Sequence, residues 1–239
     1  MKRLAALAAG ACLSACAIVR LPLPPLPPGV PYCDRYDACE DACRTGDSKA
    51  CGFIAMAERM GWGTPKNLER FIAYARLGCD GNDGQSCNLL FVAYRSGMGV
   101  EKNAAKAIQY DEKSCAVGFA KACNSLGIIY DGGETVPADP ARAMTLFAQS
   151  CDGGAAIGCL SLAKKAPDGM VSEDRAARAL PLLEAECDME PTAVPAVCTL
   201  VGRMLANGRG SAPDNGRAKR YYRRGCTLGD ADACAQNKP

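Results

Sequence analysis

The chain has 239 residues, with 28 basic and 26 acidic side chains and no histidine. That near-balance gives no electrostatic argument for nucleic acid, which needs a basic face, and the missing imidazole excludes histidine triads, histidine metal ligands and histidine pH switches. Sixteen cysteines point to an oxidising compartment, because cytosolic proteins keep few disulfides.

Lys2 and Arg3 precede a short apolar run, residues 4–13, that is too short to span a bilayer. Residues 1–15 therefore read as an export signal. Leu13-Ser14-Ala15-Cys16 resembles a bacterial lipobox, in which the cysteine is lipidated and becomes the mature N-terminus. A plain secretory signal cut near Ala15 or Ala17 is the alternative. On the lipobox reading, Ala17 in place of an aspartate favours the outer membrane, and a triacylated cysteine anchors stably. Residues 16–32 then hold the anchor and a tether. The tether, LPLPPLPPGVP at 21–31, lacks the amide donors of a helix interior and is expected to run extended at ~3.1 Å per residue. A proline ligand for another domain is the second reading of that stretch.

From residue 43 onward the cysteines keep time. Cys51 and Cys79, Cys87 and Cys115, Cys123 and Cys151, Cys159 and Cys187, and Cys198 and Cys226 are each 28 apart. The intervening steps are 8 residues, except Cys187 to Cys198, which is 11. A fixed period of 36 marks a stacked repeat, each unit contacting mainly its neighbours. The reading divides the chain into a capping helix at 33–50, five units at 51–86, 87–122, 123–158, 159–197 and 198–234, and a tail at 235–239.

Each unit carries the signals of two short helices. Ten residues after its first cysteine stands a glycine: Gly61, Gly97, Gly133, Gly169 and Gly208. These suit the left-handed end of helix A. Sixteen residues after it stand Asn67, Asn103, Asp139 and Asp214, which are N-cap types opening helix B. The fourth unit has Arg175 there, so its cap is expected to shift to Asp174. Helix A is expected to begin near the first cysteine and run about ten residues. Pro167 falls late in helix A of the fourth unit, and Pro181 inside its helix B, where a kink or break is expected.

Between helix B and the next helix A sit Gly46, Gly118, Gly154 and Gly229, with Asn82 in the same place after Cys79. A tight reversal at that point brings successive cysteines together. The expected pairs are Cys43–Cys51, Cys79–Cys87, Cys115–Cys123, Cys151–Cys159, Cys187–Cys198 and Cys226–Cys234, and Cys33 with Cys39 is paired by remainder. Seven-residue gaps without histidine do not make a zinc knuckle, so no metal and no cofactor is expected. Tyr74, Tyr110 and Tyr221 share one helix B position and read as core rather than as a sugar platform. Trp62 fits either role.

The segment YDGGETVPADPARAMTLFAQSCDGG at 130–154 resembles the Sel-one-like repeat, a relative of the tetratricopeptide repeat. Leu126-Gly127, Tyr130 and Gly133 match the family pattern, and the terminal cysteines resemble the secreted cysteine-rich bacterial branch. The resemblance implies an all-α, right-handed superhelical solenoid of helix-turn-helix repeats stapled by disulfides. It implies a scaffold that binds another protein, here in the cell envelope, with helix A lining the concave face. Outward candidates on that face are Asn88, Arg95, Asn124, Ile128, Lys164 and Arg203. It also implies a second possibility, weak β-lactam binding or hydrolysis. The residues for that chemistry are Ser161 and Lys164, an SxxK one helical turn apart, and the companion SDN and KTG motifs are absent.

Overall fold

The computed structural model describes residues 35–165, 172–189 and 193–237. The readings that fall on Cys16, Cys33, the tether, Pro167 and Gly169 lie outside the described residues. Among the described residues there are twelve helices and no strand. A capping helix, α1 (Tyr36–Arg44), is followed by five A–B pairs. These are α2 (Ser48–Met60) with α3 (Leu68–Asp80), α4 (Gly84–Ser96) with α5 (Ala104–Ala116), and α6 (Ala120–Gly132) with α7 (Pro140–Asp152). They continue with α8 (Ala156–Lys165) and α9 (Glu173–Asp188), then α10 (Pro195–Ala206) and α11 (Asn215–Thr227). A short α12 (Ala231–Gln236) closes the stack. The chain is a disulfide-stapled solenoid of helical pairs.

The helix boundaries follow from capping. Asn67, Asn103, Asp139 and Asp214 open the B helices, each accepting from the amide three residues on at 2.9–3.0 Å. The A helices begin earlier than the cysteines suggested. Asp47, Asp83 and Asp230 cap α2, α4 and α12, so the half-cystine falls inside the first turn rather than ahead of it. The first three A helices therefore run 13 residues rather than ten. In the fourth unit the cap is Ser172, not Asp174. Asp174 lies in the first turn, where an acid suits the helix dipole, and pairs with Arg178. Nor does Pro181 break α9, which runs unbroken through it. The ring sits on the exposed side of the helix, where it finds space and removes one intrahelical bond.

The corners carry the disulfides. Each joins the last turn of one B helix to the first turn of the next A helix, with Cα atoms 4.5–5.1 Å apart. The chain can reverse so tightly because Gly118 takes φ 93° and Asn82, in the same register, takes φ 64°. Cys39 is buried and disulfide-bonded.

Close approach of A and B helices depends on small residues. A Cβ on Gly127 would lie 2.5 Å from the Phe147 ring, so the glycine lets α6 and α7 meet over that ring. Phe71, Leu90, Leu126, Phe147, Leu183 and Leu205 are fully buried along the stack, each worth about 1.5–3 kcal/mol of apolar burial. One core cluster runs from Leu160 through Leu183 and Val201 to Tyr221, so the fourth and fifth units share their interior. Tyr221 is 1% exposed, as a core tyrosine should be. α8 touches α9 more sparsely than the other A helices touch their B partners.

Candidate interaction surface

Charge pairs recur from unit to unit along the B helices. On the B helices, an acid at one position of a unit meets an arginine at the opening of the next B helix. Glu40 accepts from Arg70 at 2.9 Å, Glu112 accepts from Arg142 at 3.0 Å, and Glu184 pairs with Arg217. The Arg142 guanidinium also lies 4.0 Å from the centroid of the Tyr130 ring. Unit one lacks the acid, having Arg76 there, and unit three has Ala148. Arg76 instead donates to the Tyr94 hydroxyl at 3.0 Å, and Tyr94 stacks on Tyr110 at 5.5 Å. Asp152 receives Arg175 at 2.8 Å.

The cap end is the densest of these sites, and sequence reasoning missed it. Glu58 stands where Tyr94 and Tyr130 stand in later units, and it is fully buried. Arg70 Nε donates to it at 2.6 Å and Tyr36 donates its hydroxyl to it. Tyr74 donates to Glu40 at 2.5 Å, and that bond, with the charges of Arg44 and Arg70, holds the Glu40 carboxyl below its ordinary range. Burial and the Glu58 carboxylate push the Tyr36 phenol well up. An acid in the buried stripe of helix A was the available signal.

The six outward candidates do not form one group. Arg95, Ile128, Lys164 and Arg203 are exposed on their A helices. Ile128 is 56% exposed. Arg95 lies 4.8 Å from the Phe91 ring centroid. Asn88 is half-buried and donates to Asp111 Oδ1 at 3.3 Å. Asn124 is 5% exposed and turns inward, because its register, one residue after the half-cystine, adjoins the core stripe. It is not an outward residue. Asp111 is fully buried, and desolvation raises its pKa to about 7, against the pull of the Asn88 bond and the Arg95 charge. Its Oδ2 and the Oδ1 of Asn124 have no hydrogen-bond partner among the described residues.

Ser161 is half-buried and Lys164 exposed on α8, and among the described residues no hydrogen bond joins them. No group of three metal-ligating side chains occurs among the described residues.

The Sel1 repeat model matches residues 48–83, 84–119, 120–154 and 195–230, more than half of the chain. The chain belongs to the Sel1 repeat family. The matched windows open at the starts of α2, α4, α6 and α10, and α8 and α9 lie between the third and fourth of them. A Sel1 repeat protein from Oxalobacter formigenes is similar in fold, with 17% identity and a TM-score of 0.64 over 84% of this chain and 57% of its own. A protective antigen of uropathogenic Escherichia coli strains, displaying an SLR fold, is similar at 19% identity and a TM-score of 0.63, over 84% of this chain and 43% of its own. The chain thus spans about half the length of these two Sel1 structures, and the likeness is one of fold. A comparison with curated proteins finds no match. Among the described residues of this Sel1 protein, no helix is long and apolar enough to cross a membrane. Its disulfides fit an oxidising, exported compartment.

Proposed function

We propose that this Sel1 repeat protein is a lipid-anchored envelope scaffold that holds a protein partner on the outer face of its A helices. Sel1 solenoids commonly serve as protein-interaction scaffolds, and stacked repeats offer long binding surfaces. One contrast in this chain carries the choice of face. The arginines that open the B helices, Arg70, Arg142, Arg175 and Arg217, are engaged in ion pairs, whereas Lys164 and Arg203, at the A-helix register of Ile128, are exposed with no ion pair among the described residues. The anchor reading rests on Cys16 and the residues before it.

Photocrosslinking in intact cells tests the face. A photoreactive residue at Ile128 should give a discrete protein adduct that the same residue at Gln109, exposed on α5, does not. Adducts at Gln109 alone, or at neither position, overturn the reading. Cys16→Ala should move the protein from the membrane to the soluble fraction, and unchanged fractionation removes the lipid anchor.

A further inference from the structure

One register of the A helices forms a graded strip. Five residues after each half-cystine stand Met56, Val92, Ile128, Lys164 and Arg203. The first two are half-buried and the last three exposed. Met60, one turn on from Met56, is 42% exposed and extends the apolar end. The strip is apolar over three units and cationic over the last two.

The cationic excess of the surrounding units lies in the fifth alone. Residues 48–154 carry eleven basic and eleven acidic side chains. Residues 159–197 carry four basic and seven acidic side chains, and residues 195–230 seven basic against two acidic. Fourth-unit acids take up part of that excess, Glu173 pairing with Arg209 and Glu184 with Arg217, whereas Lys219 and Arg223 are exposed on α11 and, like Lys164 and Arg203, have no ion pair among the described residues.

We infer that this strip takes an extended segment of a partner protein with apolar side chains in one half and aspartate or glutamate in the other. The inference rests on the scaffold reading and adds the chemistry of its partner. Packed helices lie roughly 10 Å apart, so five rungs span roughly 40 Å. An extended segment of about twelve residues covers that distance at ~3.3 Å per residue. The apolar rungs supply affinity by burial, and the cations fix polarity and register.

Selection of random peptides of that length, displayed on phage, against the purified oxidised protein tests this. Enriched peptides should be apolar in one half and acidic in the other. Lys164→Glu with Arg203→Glu should weaken them at least tenfold, and peptides with lysine replacing the acids should recover binding to that double variant. Ile128→Asp should weaken both peptide sets alike. Both variants change solvent-facing residues, and an unchanged circular dichroism melt confirms their fold. Enriched peptides without the apolar–acidic division, or insensitive to Lys164 and Arg203, overturn the inference while leaving the scaffold reading intact. No enrichment at all, together with no adduct at Ile128, overturns both. Equal binding of a random-sequence oligonucleotide or of anionic phospholipid vesicles, lost in the same double variant, would assign the strip to general polyanion binding and overturn it. Self-association abolished by the same changes would assign it to a second copy of the chain, with the same consequence.

Discussion

Arg142 opens the B helix of the third unit and reaches back 3.0 Å to Glu112 in the second, while lying over the Tyr130 ring. Both partners are well exposed, with side-chain exposures of 49% and 39%. The same link recurs between Glu40 and Arg70 and between Glu184 and Arg217. At Glu112 and Arg142 it links units already joined by the corner disulfide Cys115–Cys123 and by a shared core that includes Ile108, Leu126 and Phe147.

The Glu112–Arg142 pair should contribute little to stability. A double-mutant cycle of Glu112→Gln and Arg142→Gln is expected to give a coupling of about 0.2–1 kcal/mol, as exposed pairs do. Urea denaturation of the four proteins measures it.

The cap end should behave otherwise. Arg70→Ala leaves the fully buried Glu58 carboxylate without its ion-pair partner. The expected loss is about 3–5 kcal/mol, read as a fall in the urea midpoint. Glu58→Gln with Arg70→Met should recover part of it, because the stranded charge is gone.

Asp111 makes stability depend on pH in a defined direction. Its pKa is about 7 in the folded chain and about 4 when unfolded. Between these values the folded protein holds a proton that the unfolded chain has released. The contribution of this group to stability is therefore full below about pH 4 and is lost as pH rises through about 7. Asp111→Asn removes the charge and keeps an acceptor for Asn88. Its denaturation midpoint should exceed that of the parent at pH 8 and equal it at pH 4.

Each corner disulfide closes a loop of 8 residues, or 11 in one case. On the loop-entropy estimate each stabilises by about 2.5 kcal/mol. Cys115→Ser with Cys123→Ser should lower stability by that order without changing the helical circular dichroism spectrum at low temperature.

Much of this architecture is legible in the sequence, because caps and corners are local. Asn67, Asn103, Asp139 and Asp214 needed only their own amide three residues on. Gly118 and Asn82 needed only their own backbone. The cysteine marks helix A without opening it, because Asp47 and Asp83, four residues ahead, are the side chains that accept the first free amides. The inter-unit charge ladder was missed because Glu112 and Arg142 are 30 residues apart and become neighbours only when units stack. Asn124 was placed outward for the same reason: the packing of the adjacent helices, not the residue type, turns it inward.

The claim beneath all of this is that the half-cystines close corners within the stack, so that weak units act as one rod. Non-reducing peptide mapping by mass spectrometry measures it directly. The account predicts linked fragments joining Cys43 to Cys51, Cys79 to Cys87, Cys115 to Cys123, Cys151 to Cys159, Cys187 to Cys198 and Cys226 to Cys234. Free thiols at these positions, or fragments bridging distant units, would contradict it.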